Sequence, residues 1–243
     1  MAERCCKSRI LRDIVGRVAA TTIAPKRSPV ETLHSMPSVY DLKPRFQALL
    51  RPGVARLAAV GVTANQVTLA AVVLSAIGGG LIAWRPFETW PLLLLPLILF
   101  LRMGLNAIDG MLAREFGQQS KLGAILNELG DVVSDALLYL PLAWVPFVWV
   151  PLIEGVVVLA VIAEMTGVVA VQIGARRQYQ GPMGKSDRAF WLGALGLLLG
   201  LGVPPGDWIN GLLGVMGGLL VLTVINRARA ALREVSPDRM EKP

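Results

Sequence analysis

The chain has 243 residues, of which 54% are hydrophobic and only 17% are charged. A typical soluble domain has roughly 25% charged residues. The apolar residues fall in blocks of about 18 to 25, the length that an α-helix needs to cross a bilayer. A soluble helical protein would interrupt such blocks with a polar face every few residues. The composition therefore excludes an ordinary soluble domain and predicts an all-α integral membrane protein.

The formal net charge of +7 does not indicate a nucleic-acid partner, because the basic residues are unevenly placed. They crowd the first 60 positions, segment 176–188 and the C-terminal tail, whereas the predicted loops on the other side hold almost none apart from Arg85. This positive-inside pattern predicts that both termini lie in the cytoplasm. Attraction to anionic membrane lipids accounts for the same charge, so no nucleic acid is expected as a partner.

The chain before the first span divides into two predicted parts. Residues 1–39 are basic and lack the apolar core of a secretory signal, so they are expected to be a cytosolic, poorly ordered or interfacial segment. Residues 40–60 interleave basic and apolar residues, which predicts an amphipathic helix in the headgroup layer. Pro52 and Gly53 predict an interruption of that helix.

Six apolar stretches follow and predict six transmembrane helices. Their predicted ranges are 64–84, 89–110, 122–145, 150–174, 189–203 and 208–226. Residues 61–230 are therefore expected to form one six-helix transmembrane domain, and residues 231–243 a basic cytosolic tail.

Polar side chains recur at helical spacing in the second and third predicted spans. Asn106 and Asp109 are three residues apart, and Asn127, Asp131 and Asp135 are each four apart, so each set shares a helix face. On the predicted topology the two stripes meet just inside the cytosolic interface. Carboxylates within a membrane-spanning segment are energetically unfavourable, so their presence indicates a functional site.

The residue types at this site suit a metal ion and a phosphate. Carboxylate and amide oxygens are ligands for Mg²⁺, Mn²⁺ or Ca²⁺. Gly110, Ala113 and Gly123 leave room for a bulky ligand, and Arg114 can reach a phosphate. The pattern predicts a cytosol-facing site for a pyrophosphate-containing substrate. The alternative, polar groups that only hold two helices together, does not explain the Gly, Ala and Arg residues at fixed offsets.

Segment 106–131 resembles the signature of the CDP-alcohol phosphotransferase family, which is Asp-x-x-Asp-Gly-x-x-Ala-Arg, eight residues, then Gly-x-x-x-Asp-x-x-x-Asp. The spacing agrees at every position, including the eight residues between Arg114 and Gly123. Residues 63–68 are similar to the Pro-Asn-x-x-Thr stretch that opens the family's first membrane helix. The resemblance extends from residue 40 to residue 230.

The resemblance implies an enzyme of phospholipid synthesis in a bacterial inner membrane, with its active site facing the cytosol. Such an enzyme transfers a substituted phosphate from a CDP-linked donor, here CDP-diacylglycerol, to a hydroxyl of a polar alcohol and releases CMP. Mg²⁺ or Mn²⁺ is the implied cofactor. Family members often pair, so a homodimer is expected on the same basis.

The resemblance also assigns roles to residues. Asp109 is the implied metal ligand, and Asp131 the general base or a metal-bound base. Four residues are implied to contact the CDP group: Gly110, Ala113, Arg114 and Gly123.

Two of the family's four acidic positions are Asn106 and Asn127 in this chain. Asn keeps a carbonyl oxygen but has no charge, so one reading is an active site with one ion or a weakly bound ion. The other is an inactive protein that binds a nucleotide or a lipid. Asp135, one turn beyond Asp131, is a candidate replacement ligand, whereas Glu128 is rotated by about 100° from Asn127 on a helix.

Segment 176–188 is similar to a segment of phosphatidylglycerophosphate synthases. Lys185 and Arg188 are therefore candidates to bind an anionic acceptor, with ordinary positive-inside charges as the alternative. Arg102, one turn before the motif, is expected to reach the interface or to pair with an acid. Glu164 is expected to make a structural ion pair.

Overall fold

The computed structural model describes residues 39–236, with side chains from residue 46, and within that range every regular element is helical. The described elements are α1 (Val39–Ala59), α2 (Ala64–Trp84), α3 (Trp90–Glu115), α4 (Lys121–Tyr139), a 3₁₀ helix (Leu140–Trp144), α5 (Val150–Val169), a second 3₁₀ helix (Ala170–Ile173), α6 (Lys185–Gly200) and α7 (Trp208–Glu234). The predictions for residues 1–38 and 237–243 lie outside the described residues.

Helix α1 runs without a break through Pro52 and Gly53, so the predicted interruption was wrong. Proline removes one hydrogen bond of the helix, but Pro52, Gly53 and Ala48, whose carbonyl loses that partner, are all exposed residues. Val54, in the second half of the helix, is buried in one apolar cluster with Met111 and Leu112 of α3.

Four stretches are long and apolar enough to cross a membrane: Ala64–Trp84, Trp90–Glu115, Val150–Ile173 and Trp208–Glu234. Helix α4 is less apolar because it carries Glu128, Asp131 and Asp135. Helix α6 has only 16 residues. The all-α membrane class is thus confirmed for the described residues, whereas the count of six spans stays a prediction.

The outward faces of these helices are apolar. Large apolar side chains on them are exposed, among them Leu69, Val73, Ile77, Phe100, Val158, Ile162 and Val221. Soluble monomers rarely expose contiguous apolar patches of more than a few hundred square ångströms. A lipid environment removes the penalty of exposing such a surface, and the backbone polar groups are satisfied within the helices.

Small residues let the helices approach closely. Helix α2 packs against α3 and α4, α3 packs against α6, and α5 packs against α7. At Gly79 the backbone of α2 meets the main-chain carbonyl of Leu137 on α4, and at Gly196 the backbone of α6 faces the carbonyl of Leu92 on α3. Close backbone contact at small residues is the usual way in which membrane helices pack.

Every helix after α2 departs from its predicted span. Helix α5 ends at Val169 and a 3₁₀ helix follows, α6 is Lys185–Gly200 where 189–203 was predicted, and α7 continues to Glu234, eight residues past its predicted end. The differences in α3 and α4 affect the motif directly. Helix α3 continues five residues past the predicted end at Gly110, since the turn that ends it requires Gly117 with its positive φ of 67°. Helix α4 stops at Tyr139 and a 3₁₀ helix follows, because Pro141 lacks the N–H that would continue the α-helical bonding. The motif loop is therefore short and lies between two long helices.

Gly79→Ala should destabilise the protein. A Cβ atom at this position collides with the Leu137 carbonyl, and backbone cannot move aside as a flexible side chain can, so we expect a loss of about 1–3 kcal/mol of unfolding free energy. Thermal unfolding in detergent, followed by size-exclusion chromatography, measures it. Gly80→Ala is the matched control, because its Cβ meets nothing within 4 Å; equal melting temperatures for the two variants would contradict the prediction.

Candidate active site

The loop between α3 and α4 is tied to the start of α2. Gln118 accepts a hydrogen bond from the main-chain N–H of Ala64 at 2.7 Å and donates one to the carbonyl of Val62 at 3.2 Å. Ser120 caps α4 by accepting from the N–H of Gly123 at 2.9 Å. The N-termini of α2 and α4 therefore lie side by side, and their free N–H groups favour a bound anion.

Two glycines of the motif leave space for neighbouring polar side chains. A Cβ on Gly110 would lie 2.8 Å from the Arg114 guanidinium, and a Cβ on Gly123 would lie 2.8 Å from Oδ1 of Asn65. Arg114 itself is exposed and Ala113 is half-buried. Asn65 belongs to the 63–68 stretch but was not predicted as a site residue, because the spacing of one helix does not show which loop it faces.

Asp109 lies on α3 with only 5% of its surface exposed. Its Oδ2 accepts a hydrogen bond of 2.9 Å from the hydroxyl of Thr68 on α2. The methyl group of Thr68 packs against Gly130 of α4, so Thr68 lies where three helices meet. No side chain among residues 46–236 donates to the other carboxylate oxygen. Thr68 is a second site residue that the sequence did not reveal.

Asp131 lies at the junction of α3, α4 and α6. Its Oδ1 accepts hydrogen bonds from Nδ2 of Asn106, at 3.3 Å, and from the ammonium group of Lys185. Arg102 donates to its main-chain carbonyl at 3.0 Å. Within the described part of the chain no group donates to Oδ2. One carboxylate oxygen is thus held in place, and the other is available to a ligand or a proton.

Asn127 and Glu128 diverge, as their different helix faces predict. Asn127 is half-buried one turn before Asp131, and its side chain makes no hydrogen bond within residues 46–236. Glu128 instead pairs with Arg177 at 2.6 Å. Asn127 is therefore the one of the two whose oxygen remains free on the motif face.

Asp135 is buried between two guanidinium groups. Its Oδ1 lies 2.5 Å from Arg102, and its Oδ2 lies 2.8 Å from Arg188. Both oxygens are therefore already held by cations, which argues against the predicted role of Asp135 as a replacement metal ligand. The same pairing occupies Arg188, which is only 1% exposed and is poorly placed to meet an acceptor.

Glu164 of α5 extends this buried network. Its carboxylate contacts Arg188 of α6 at 3.1 Å and Arg227 of α7 at 3.2 Å, with Arg177 at 3.5 Å. The predicted structural pairing of Glu164 is confirmed, and so is the pairing of Arg102 with an acid. Charges at this depth are tolerated because each has an opposite partner.

The oxygen atoms that could bind a metal ion belong to two charged carboxylates and two uncharged amides. No group of three or more His, Cys, Asp or Glu side chains among residues 46–236 is arranged to hold a metal ion, since Asn106 and Asn127 replace two acids. The free oxygens of Asp109 and Asp131, with two amide oxygens, are still hard ligands of the kind that Mg²⁺ and Mn²⁺ prefer. Two carboxylates and two amides offer two fewer negative charges than the four acids of the family signature.

Residues 61–225 match the CDP-alcohol phosphatidyltransferase family, and this range contains the whole motif. The chain belongs to that family. One relative, the inner membrane protein YnbA of Escherichia coli (strain K12), is 45% identical over 195 residues, which are 80% of this chain and 96% of that protein. Family membership supports phosphatidyl transfer in phospholipid synthesis as the class of activity, and the expected resemblance is confirmed.

Solved structures share the fold. The phosphatidylinositol phosphate synthase PgsA1 of Mycobacterium tuberculosis with CDP-DAG bound has a TM-score of 0.64 at 20% identity, covering 79% of this chain and 96% of that one. The same protein in complex with manganese and citrate gives 0.64 at 21% identity, covering 79% and 92%. At 20–21% sequence identity, this structural similarity establishes the fold of the chain.

Arg102→Met should cost about 3–5 kcal/mol of unfolding free energy, because it removes one partner of a buried ion pair and leaves polar groups unpaired. Arg85→Met is the matched control: its pair with Glu88 is exposed and should contribute less than about 1 kcal/mol. Thermal unfolding in detergent measures both changes. A loss for Arg102→Met no larger than for the control would contradict a structural role for this pair.

Proposed function

We propose that this protein transfers a phosphatidyl group from CDP-diacylglycerol to the hydroxyl of a polar alcohol and releases CMP. Membership of the family supports the reaction class. The observation that carries the proposal is the geometry of Asp131, whose Oδ1 is held by Asn106 and Lys185 while Oδ2 has no donor within residues 46–236. A carboxylate oriented in this way can take the proton of an attacking hydroxyl.

Asp131 is the proposed general base. The acceptor oxygen forms a bond to the phosphorus that carries diacylglycerol, and the hydroxyl proton passes to Oδ2. The bond from that phosphorus to the bridging oxygen breaks, and CMP leaves with this oxygen and its electron pair. Arg102 holds the backbone of Asp131 at 3.0 Å, so the carboxylate stays on the same face during the reaction.

The nucleotide is proposed to lie against the loop between α3 and α4. Gly110, Ala113, Arg114 and Gly123 would contact the CDP group. The paired N-termini of α2 and α4 add positive potential, and the exposed Arg114 can neutralise one phosphate oxygen. The structurally similar PgsA1 has been crystallised with CDP-DAG bound, which supports a donor of this kind.

Mg²⁺ or Mn²⁺ is the proposed cofactor, with Asn106, Asp109 and Asn127 as its ligands. Asp131 would be a fourth ligand until the acceptor hydroxyl is bound, when its Oδ2 serves as the base. When bound, the ion would offset phosphate charge that develops during transfer. Support comes from the oxygen donor set and from the related PgsA1, whose structure was solved in complex with manganese and citrate. Thr68 donates to Oδ2 of Asp109 from α2 at 2.9 Å, so the orientation of this carboxylate is already fixed.

The acceptor side is proposed to lie near Lys185, where the polar alcohol would approach Oδ2 of Asp131. Arg188, one turn further along α6, is buried and instead fixes the position of Lys185.

We also propose that the chain forms a homodimer, as the family resemblance implies. Cross-linking in membranes would test that assembly.

The proposed topology has six transmembrane helices, α2 to α7, with α1 in the headgroup layer and both termini and the active site in the cytosol. Helices α4 and α6 would complete the bundle, since Asp135 of α4 and Arg188 of α6 are paired inside it and not exposed to lipid. The buried pairs of Asp135 with Arg102 and Arg188 support this placement.

Cysteine labelling separates six spans from four. With Cys5 and Cys6 replaced by Ser, we expect Trp149→Cys to react with an impermeant maleimide in intact cells and Gln180→Cys to react only after permeabilisation. If only the four apolar stretches crossed the membrane, the two results would be exchanged. Phe87→Cys, in the loop between α2 and α3, controls for labelling from outside under either topology.

Asp131→Asn should lower turnover by at least about 100-fold, because a general base contributes at least that factor. Purified protein would receive CDP-diacylglycerol, Mg²⁺ or Mn²⁺ and a panel of neutral and phosphorylated alcohols, with CMP release as the readout. Asp207→Asn, an exposed position at the other end of the bundle, is the matched control and should keep full activity.

The same assay tests the second candidate function, a protein that binds a nucleotide or lipid without catalysis. The loss of two acids at Asn106 and Asn127 favours it. Bound CDP-diacylglycerol without CMP release for any acceptor or metal would support this function and would refute the transferase.

A further inference from the structure

Lys185 places an ammonium group directly on the carboxylate of the proposed base. Its side chain is 31% exposed and that of Asp131 is 25% exposed, so the pair is largely shielded from water. Shielded pairs interact much more strongly than exposed ones because the effective dielectric constant is lower. Lys185 therefore places a substantial positive charge beside the motif, in contact with Asp131.

The position of Lys185 is set by a fixed framework and not by a flexible loop. It is the first residue of α6, and Asp187 caps this helix by accepting from the N–H of Gly184 at 2.9 Å. Just before it, the N–H of Met183 donates to the hydroxyl of Thr223 at 3.0 Å. One turn after it, the buried Arg188 is held by its two acids. The contact with Asp131 is thus built into the fold.

The net formal charge of the proposed metal ligands and their contacts depends on this lysine. Asp109 and Asp131 contribute two negative charges and Lys185 one positive charge, which leaves −1. A single divalent ion brings the sum to +1, which a substrate pyrophosphate offsets. A second divalent ion would bring it to +3 and would share Asp131 with an ammonium group. The charges therefore favour one ion and oppose two.

We infer that Lys185 is a built-in cation that takes the place of a second divalent ion, so that each chain binds one metal ion. Asn106 and Asn127 are the matching change, since a site with a resident ammonium group needs fewer carboxylates. The inference rests on the proposed function, because it concerns the same metal. It adds that Lys185, Asn106 and Asn127 act as one charge-balanced set.

Manganese binding without donor or acceptor tests the inference. Purified protein in lipid nanodiscs is titrated with Mn²⁺, and the free ion is followed by electron paramagnetic resonance. We expect one Mn²⁺ per chain for the wild type. Lys185→Met should keep one ion but bind it about tenfold more tightly, since a like charge is removed. Lys121→Met, an exposed lysine on α4, is the control and should not change the affinity.

Substituting all three positions together should create a site for a second ion. We expect the triple variant Asn106→Asp, Asn127→Asp, Lys185→Met to bind two Mn²⁺ per chain. The double variant with Lys185 retained should bind the second ion at least tenfold more weakly. Lys185→Arg keeps the charge and should behave like the wild type, and it reports on folding if Lys185→Met unfolds.

Two results would overturn the inference: two Mn²⁺ per wild-type chain, or equal affinity for Lys185→Met and Lys121→Met. These results are independent of catalysis. One ion per chain with the expected affinity changes, but no CMP release, would refute the proposed transferase activity and support the charge-balanced site. CMP release with two ions per wild-type chain would support the transferase activity and refute the charge-balanced site.

Discussion

The structure depends on pairing every charge that lies within the helix bundle. Moving an ion from water into a low-dielectric interior costs several kcal/mol even after the protein relaxes, so an unpaired Arg or Asp inside the bundle would strongly destabilise it. Arg102, Asp135, Arg188, Glu164 and Arg227 form one continuous chain of contacts from α3 to α7. This chain fixes the relative register of helices whose apolar faces alone would allow sliding.

The same network sets the geometry of the candidate site. Arg102 contacts the Asp135 carboxylate with one nitrogen and the main-chain carbonyl of Asp131 with another. Arg188 lies one turn from Lys185, so its anchoring determines where the ammonium group meets Asp131. A structural layer of ion pairs thus lies next to the candidate site, and a shift in this layer would displace Asp131, the proposed base.

Sequence spacing correctly predicted that the polar stripes of the motif meet, because the motif residues lie on two helices that follow each other in the chain. The convergence of Asn106 and Asp131 is confirmed by their hydrogen bond. Spacing could not show that Lys185 reaches Asp131 from a position 54 residues away, since one helix period does not define contacts with a third helix. The same limit explains Asp135, whose place on the stripe matches a metal ligand although two arginines hold it.

Asn106 has a property that the family's aspartate lacks, because its amide can donate a hydrogen bond. An ionised carboxylate at this position would repel Asp131, whereas Nδ2 of Asn106 approaches Oδ1 of Asp131 at 3.3 Å. Together with Lys185 it holds one oxygen and leaves the other open. Compared with the family's aspartate, Asn106 therefore lacks a charge at the proposed metal site and adds a group that orients the proposed base. If Asn106 were only a degraded ligand, its amide would have no reason to converge with Lys185 on one oxygen atom.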